Sequence, residues 1–413
     1  MKQNKLAVTL LELSDQINVM TTLEKTNTDS LVIKPFESII ISFINEFSKA
    51  IFTDKEFKQY PELISLAFWM RESSINKLKL EFFKRNENRL IAPRGLALHF
   101  APANVDAIFI YSLFLSLLVG NQNIVRVSSN KSEQQQLIIR VLNQLLVKDK
   151  FRKLQSYITI INYAHSDVIT KSLSSVCDVR VIWGGDSTVT KISAAPIPPK
   201  TIEIKFANKY SYALFGASII ANWTSDKVEE LAKNFINDSY WFGQMGCSSP
   251  RNVYWYGKQD DVEIAKYRFW DAVTNQLADF PHQLSDADLV NKYVLQCDIA
   301  ANSAIENTIT PNMLASRIAN TSDSLLGVQS EHCGGGLFFE DHLSDLGLLG
   351  QVVDRDIQTI VYAGIDKEQL HEAIQQWDVL PDRLVPCGEG LMFNRIWDGY
   401  DLLESFARFV TIK

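Results

Sequence analysis

The residues with the clearest chemical potential lie in Trp241-Phe-Gly-Gln-Met-Gly-Cys-Ser-Ser-Pro-Arg251, where one cysteine stands among small residues at the mouth of a turn. A thiol with an ordinary pKa of about 8.5 is only slightly ionised at neutral pH, so a nucleophilic cysteine needs backbone donors, a helix N-terminus or a nearby cation. Gly243, Gly246, Ser248 and Ser249 let backbone N–H groups approach a reacting atom, and Arg251 adds positive charge. The competing reading is a core cysteine, since cysteine is among the most buried residue types. Small polar neighbours pack cores poorly and favour the nucleophile, Cys247. A second segment, Trp183-Gly-Gly-Asp-Ser-Thr188, runs from a strand end through two glycines into a helix. There Gly184, Gly185, Asp186 and Ser187 offer N–H groups and a helix dipole to a pyrophosphate. The same residues also read as a plain turn with Asp186 or Ser187 as N-cap. No Gly-x-Gly-x-x-Gly follows a strand, and no phosphate-binding Gly-x-x-x-x-Gly-Lys-Ser/Thr occurs. His332-Cys333 is a further pair, with a histidine able to protonate a departing thiolate or alkoxide, although a structural role is the preferred reading.

The elements that must position these residues follow from hydrophobic period. From Leu90 to Gln244 short β-rich runs alternate with helical ones: Leu96 to Phe100, a helix from Val105, Ile124 to Val127, a helix over Glu133 to Lys148, Ile158 to Ile161, a helix from Asp167, and Asp178 to Trp183. A short helix at Thr188 to Ala194 and strands near Thr201 to Lys205 and Tyr212 to Phe215 complete a βαβ pattern, expected to form a mostly parallel sheet wrapped by helices. Asp226 to Asp238 has helical spacing and delivers the chain into the Cys247 segment; Val253 to Tyr256 reads as a strand, Asn291 to Ala300 as part of a helix, and Trp397 to Phe409 as a closing helix.

Composition narrows the class. A chain of 413 residues that is 46% hydrophobic can bury two or three cores. A formal net charge of -7 without a basic stripe argues against nucleic acid as the main partner. Five cysteines without disulfide or metal spacing point to reduced thiols in the cytoplasm, and no metal is expected. The apolar run Val105 to Val119 carries Asp106 and falls short of the roughly 20 residues a bilayer requires, so it reads as a buried helix and no membrane span is expected. The first residues lack a convincing cleavage site, and no secretory signal is expected.

Gly243-Gln-x-x-Cys-x-Ser-Pro-Arg251 resembles the nucleophile segment of the LuxC-type bacterial long-chain acyl-CoA reductases, the fatty acid reductases of the aldehyde dehydrogenase superfamily. Pro93-Arg-Gly-Leu-Ala-Leu-His-Phe-Ala-Pro-Ala-Asn104 is similar to the family's strand and loop carrying an asparagine, and Gly120-Asn-Gln-Asn-Ile-Val-Arg-Val-Ser-Ser129 to its cofactor strand. Val181 to Thr188 resembles its glycine turn, Ile357-Gln-Thr359 its late strand, and Arg383-Leu-Val-Pro with Trp397-Asp-Gly-Tyr-Asp401 its C-terminal signature. The resemblance covers about residues 60 to 405.

The resemblance implies an α/β, aldehyde dehydrogenase-like fold with a Rossmann-type cofactor domain and an α/β catalytic domain. The expected boundaries are an N-terminal helical region over 1–75, a cofactor-binding domain over 76–215 with a return of 377–413, and a catalytic domain over 216–376. It implies NADPH-dependent reduction of fatty acyl-CoA to fatty aldehyde through a thioacyl intermediate on Cys247, with Asn104 as oxyanion donor. Arg126, Ser128 and Ser129, with no carboxylate among them, suit the 2′-phosphate of NADPH better than NADH. A plain surface salt bridge is the alternative for Arg126, and a turn-stabilising role that for Asn104. Aldehyde-oxidising relatives carry Glu-Leu-Gly-Gly where this chain has Lys205-Phe-Ala-Asn208, so their water-activating glutamate has no counterpart; Glu203 is close by and on a strand shares a face with Lys205. An acyl-protein synthetase partner and a homo-oligomer are expected. Two other readings stay open: reduction of an acyl phosphate or short acyl-CoA, and a non-catalytic assembly component of the same fold.

Overall fold

The computed structural model describes residues 11–12, 32–102, 105–129, 132–280, 284–302, 307–320, 325 and 332–412. Two units form: Met1–Ala207 with Phe393–Lys413, and Asn208–Met392.

In the first unit, β1 (Leu11–Glu12), β2 (Arg89–Pro93), β3 (Leu96–Phe100), β4 (Gln122–Arg126), β5 (Ile158–Asn162), β6 (Val179–Trp183) and β7 (Ile202–Phe206) appear in chain order. All but β2 join one parallel sheet in the order β1-β5-β4-β3-β6-β7. From β3 the chain steps outward to β4 and β5, then returns to the other side of β3 with β6 and β7. The order therefore reverses between β3 and β6, as in a doubly wound Rossmann-type sheet, whose ligands sit beyond the strand C-termini at the reversal. Leu98 and Phe100 of β3 pack with Ile169, Leu173 and Val189 of the helices Asp167–Ser174 and Asp186–Ser193. His99, between them, points to the opposite face and meets Ser112 of the helix Ala107–Leu118.

Eleven of the twelve residues of that helix are buried, as its apolar run requires. Helices Ser38–Thr53 and Pro61–Trp69 lie against it, with Phe43 and Phe47 meeting Phe114 edge-on at 6.3 and 5.0 Å. The N-terminal helices are thus part of the first unit's core. No helix among the described residues is long and apolar enough to cross a membrane.

The second unit carries β8 (Tyr210–Gly216), β9 (Pro250–Tyr256), β10 (Asn307–Thr310), β11 (Ser316–Asn320), β12 (Leu337–Leu343), β13 (Ile357–Ala363) and β14 (Arg383–Pro386). Their order is β10-β11-β12-β9-β8-β13-β14, parallel throughout except for β10. Because β8 bonds to β9 and β13, the chain from Asn208 onward belongs to this unit and not to the sheet before it. Both faces are covered, which explains the near-continuous apolar strands. Ala213, Phe215, Val253 and Trp255 face the helices Ser225–Ser239 and Gln259–Leu277, whereas Tyr212, Leu214 and Tyr254 pack with Leu346, Leu349, Leu370 and Trp377.

The C-terminus departs from the expected helix over Trp397 to Phe409. Instead β15 (Ile396–Trp397) and β16 (Tyr400–Asp401) form a hairpin, one turn of helix covers Leu402–Phe406, and β17 (Ala407–Thr411) pairs antiparallel with β2. Asp398 and Gly399 adopt φ of 46° and 77°, the left-handed pair that an Asp-Gly hairpin turn favours and a helix forbids.

His99 is fully buried between β4 and the Ala107–Leu118 helix. Its Nε2 lies 3.1 Å from Asn123 Oδ1 and its Nδ1 2.8 Å from the Ser112 hydroxyl. The Asn123 amide nitrogen donates to the Asn121 and Tyr157 carbonyls, so Asn123 Oδ1 accepts from Nε2–H, and Nδ1 accepts from Ser112. Burial pushes the imidazole down to about 4. An unfolded histidine titrates near 6.5. Between these values the unfolded chain binds more protons, so this contribution is intact above pH 6.5 and is lost as pH falls toward 4. Thermal unfolding of wild type and His99→Gln across that window should show the smaller acid loss in the variant, by on the order of 3 kcal/mol at most. Equal slopes would mean the imidazole is protonated in the fold.

Candidate active site

The helix Ser225–Ser239 ends just before the cysteine loop and presents its C-terminal, partly negative end there. The chain then turns sharply: Phe242, Gly243 and Gln244 take φ of 60°, 60° and 65° in succession. Left-handed backbone at two non-glycine residues costs about 1–2 kcal/mol each and needs compensation. Gln244 supplies it. Its amide nitrogen donates to the carbonyls of Pro250 (3.0 Å) and Leu337 (2.9 Å), and its oxygen accepts from the N–H groups of Gly336 (2.9 Å) and Leu337 (3.0 Å). The loop is thereby fixed to the first residues of β9 and β12. Close backbone approach completes the clamp, since Gly335 N–H donates to Gly243 O at 3.0 Å and a Cβ on Gly334 would stand 2.4 Å from that oxygen.

Cys247 is half-buried on this loop. Its carbonyl accepts from the Ser211 hydroxyl of β8 at 2.7 Å, and its Sγ accepts from Gln358 Nε2 of β13 at 3.2 Å. Arg251 is buried at the start of β9 over the Tyr210 ring, 4.5 Å from its centroid, and its charge interacts with Cys247 and Cys333. Burial lowers the Arg251 pKa, but the guanidinium remains a cation at neutral pH. The other cysteines differ. Burial pushes Cys177 up to about 12 and Cys387 well above the usual thiol range, and it also raises Cys333; Cys297 is exposed. His332 holds the adjacent glycine turn, with Nδ1 accepting from Gly334 N–H at 3.0 Å and Nε2–H donating to Leu337 O at 2.8 Å. Burial, helped by the Arg251 charge, pushes it down to about 3, so it is neutral with both ring nitrogens engaged.

In the first unit, Arg126 closes β4 and Gly184 and Gly185 follow β6, both at strand C-termini flanking β3. Arg126 bonds the Tyr163 carbonyl at 3.4 Å and stacks over its ring at 5.5 Å; no carboxylate appears among its described partners. Ser129 donates to the same carbonyl at 3.3 Å, and the Ser128 carbonyl accepts from Asn162 at 2.9 Å. The helix begins at Asp186 with Gly185, not Asp186 or Ser187, as N-cap; the Gly185 carbonyl accepts from Thr188 and Val189 at 2.9 and 3.0 Å. Asp186 and Ser187 are exposed in its first turn, where the leading N–H groups point out of the helix end. This turn and the Arg126 loop fit a dinucleotide's phosphates, with the Asp186 carboxylate opposing a close anion. Asn104 lies outside the described residues.

Glu203 is not a free base. Burial alone would raise its pKa, but hydrogen bonds from Ser193 (2.5 Å), Arg180 and Lys205 hold it below the usual carboxylate range. Its bridge to Lys205, at 3.1 Å, confirms the shared strand face.

The sequence reading missed Ser211, Gln358 and the part played by Gln244. The available signal was an amide at the start of an otherwise apolar strand, Ile357-Gln-Thr-Ile-Val.

A family model described as acyl-CoA reductase (LuxC) matches residues 73–307, more than half of the chain. Long-chain acyl-protein thioester reductase 2 of Photobacterium leiognathi is 26% identical over 187 residues, 45% of this chain and 36% of that protein. The long-chain acyl-protein thioester reductase of Aliivibrio fischeri is 23% identical over 167 residues, 40% of this chain and 33% of its own length. The match thus spans about a third of these relatives. Among solved structures, aldehyde dehydrogenase 21 from Physcomitrella patens superimposes with a TM-score of 0.71 over 96% of this chain and 90% of its own, at 9% identity. An NAD-dependent benzaldehyde dehydrogenase from Corynebacterium glutamicum gives 0.61 over 94% and 86%, at 12% identity. The two-unit fold is therefore that of the aldehyde dehydrogenases, and the chain belongs to the acyl-CoA reductase (LuxC) family.

Proposed function

We propose that the protein reduces a long-chain acyl thioester to the fatty aldehyde through a thioacyl intermediate on Cys247, with the Asn208–Met392 unit catalytic and the other unit binding NADPH. The observation that carries this reading is Cys247 itself: a half-buried thiol whose sulfur receives a side-chain N–H and lies within the field of a buried arginine. The Cys247 thiolate attacks the acyl carbonyl, the bond to the departing thiol breaks, and the acyl group stays on the enzyme sulfur. Asn104 donates to the oxyanion without changing charge. NADPH, when bound, supplies the hydride for the acyl carbon, and Arg126, Ser128, Ser129 and the Gly184 to Ser187 turn hold its phosphates. Collapse of the reduced adduct returns the Cys247 thiolate and frees the aldehyde. No glutamate stands at Lys205 to Asn208 to activate water against the thioester.

Fatty acyl-CoA is the proposed acyl donor, and the names of the relatives point to an acyl-protein thioester as a second; a synthetase partner that would supply it is part of the proposal. Profiling across chain length and leaving group, acyl phosphate included, separates these donors.

Incubation with a fatty acyl-CoA panel should add one acyl mass at Cys247, and NADPH should discharge it as aldehyde. Cys247→Ala should neither acylate nor turn over. Peptide mapping of the acyl group to another cysteine would sink the mechanism.

Asn104→Ala should lower turnover by about 10²-fold or more with NADPH affinity nearly unchanged, because an oxyanion donor acts in the transition state. A normal turnover number in the folded variant would reduce Asn104 to a turn residue.

Arg126→Ala should weaken NADPH by about 10- to 100-fold more than NADH, through loss of a charge-assisted pair with the 2′-phosphate. The ratio of the two dissociation constants at fixed salt is the measurement. An unchanged ratio would remove Arg126 from the cofactor site.

A further inference from the structure

β8 and β13 run in register from Thr359 onward, but the pairing slips by one residue between Ile357 and Thr359, so Gln358 is the extra residue of an irregularity in β13. A similar slip between Ser211 and Tyr212 leaves Arg251 extra on β9. Such irregularities re-aim a side chain out of the regular alternation and are enriched beside active sites. Here the two re-aimed side chains meet the same loop. The Gln358 amide is buried within a strand of apolar residues, and Nε2 reaches Cys247 Sγ at 3.2 Å.

The orientation of that amide is fixed from behind. Arg383 Nε, at the start of β14, donates to Thr359 Oγ1 at 2.7 Å, which directs the threonine hydrogen elsewhere; the Gln358 Oε1 lies 3.4 Å from the same hydroxyl and accepts it. With its oxygen so occupied, the amide must turn its nitrogen to the sulfur. Donors are thus aligned head to tail, from the Arg383 guanidinium through Thr359 and Gln358 to Cys247, and each polarises the next. The backbone of Thr359 reinforces the arrangement by donating to Ser211 Oγ at 3.1 Å, while that hydroxyl holds the Cys247 carbonyl.

We propose that Gln358 is a positioning residue for the nucleophile: its amide, oriented by Thr359 and Arg383, holds the Cys247 sulfur and stabilises its thiolate by a neutral hydrogen bond. The proposal rests on the reading of Cys247 as nucleophile. A neutral amide suits the task, because it stabilises the anion yet cannot activate water against the thioester that follows. Among the described residues, the charged and titratable groups facing this loop are Arg251 and Tyr210 from β9 and β8, His332 and Cys333 from the glycine turn, and Lys292 and Asp288 from the helix Asp286–Asn302, whose opposite charges both act on Cys333. Gln358 acts in addition to Arg251, so its removal shifts the thiol's titration without abolishing reactivity.

The test is the pH dependence of iodoacetamide alkylation at the Cys247 peptide, in the full chain, for wild type, Gln358→Leu, Gln358→Glu and Thr359→Val. Gln358→Leu should raise the apparent pKa of Cys247 by about one unit, giving about tenfold slower alkylation below the wild-type value. Gln358→Glu should raise it further, and Thr359→Val, which keeps the backbone bond to Ser211, by less. A purely structural role would change the plateau rate at high pH and leave the apparent pKa in place, and that result in the folded variants overturns the proposal. Should Gln358→Leu fail to fold, the other two variants decide. Acylation of the same samples with a fatty acyl-CoA distinguishes the two readings. Acylated wild-type Cys247 with unshifted variants refutes the role of Gln358 alone, whereas a shifted titration with no acylation by any acyl thioester refutes the nucleophile.

Discussion

The organisation of the second unit depends on one side chain, Gln244, that satisfies two backbone segments at once. Four neighbouring strands, β12, β9, β8 and β13, begin at the same edge of the sheet, where ladder bonding has not yet started and peptide groups need other partners. Gln244 takes the carbonyls of Pro250 and Leu337 and the N–H groups of Gly336 and Leu337, leaving no capacity of its own amide unused. These bonds offset the left-handed backbone from Phe242 to Gln244 and set where Cys247 stands. A shorter amide would not span the gap, and a glutamate would present only acceptors to two carbonyls. The spacing Gly-Gln-x-x-Cys is therefore a mechanical unit: the glycine and glutamine make the turn, and three residues later the thiol emerges beside β8 and β13.

Electrostatics impose a second condition. A helix entering the loop by its C-terminal end disfavours an anion, so the usual helix-dipole route to a thiolate is closed on this side. The cation must come from elsewhere, and Arg251 supplies it from an irregular strand start, buried against Tyr210. Among the described residues, no histidine is free to serve as base in this arrangement. His332 is close enough to feel the arginine, but its two nitrogens hold Gly334 and Leu337 and burial keeps it neutral. The pair His332-Cys333 thus belongs to the turn that receives Gly243, and its chemistry is that of a clamp.

Much of this was legible in the sequence, for identifiable reasons. The alternating strands and helices of the first unit showed because strands buried on both faces read as apolar runs, and the Ala107–Leu118 helix because it is covered by other helices on the sides not facing the sheet. Cys247 stood out because small polar residues surround it. The segment Trp397 to Phe409 misled because its apolar spacing suits a helix; Asp398-Gly399 was the stronger signal, since a left-handed pair closes a hairpin. Gln358 and Ser211 were invisible as neighbours of Cys247, because long-range strand order, not local pattern, brings residues 211, 247 and 358 together. Nor does a sequence reveal that β13 and β9 each carry an extra residue at their starts, and it is these slips that aim Gln358 and Arg251 at the loop.

The two proposed sites lie at opposite ends of the strands of their respective sheets, and the chemistry accounts for the difference. Phosphate groups are held by N–H groups and positive dipole ends, which in a parallel sheet gather beyond the strand C-termini where helices begin; the Gly184-Gly185 turn and Arg126 occupy that end. A thioester-forming cysteine has another need: an anion stabilised enough to form, with no base nearby that would direct water onto the acyl group. Strand starts suit this, since irregular pairing there can turn a neutral amide to the sulfur and place a guanidinium whose charge reaches it. The same logic applies around Lys205, where the nearby acid, Glu203, is bound by Arg180, Ser193 and Lys205 and so is withdrawn from proton transfer. A chain that held a free carboxylate at either place would be suited to releasing an acid; in the proposed reaction, the bound Glu203 and the neutral amide at Cys247 would leave the acyl group on sulfur until hydride reaches it.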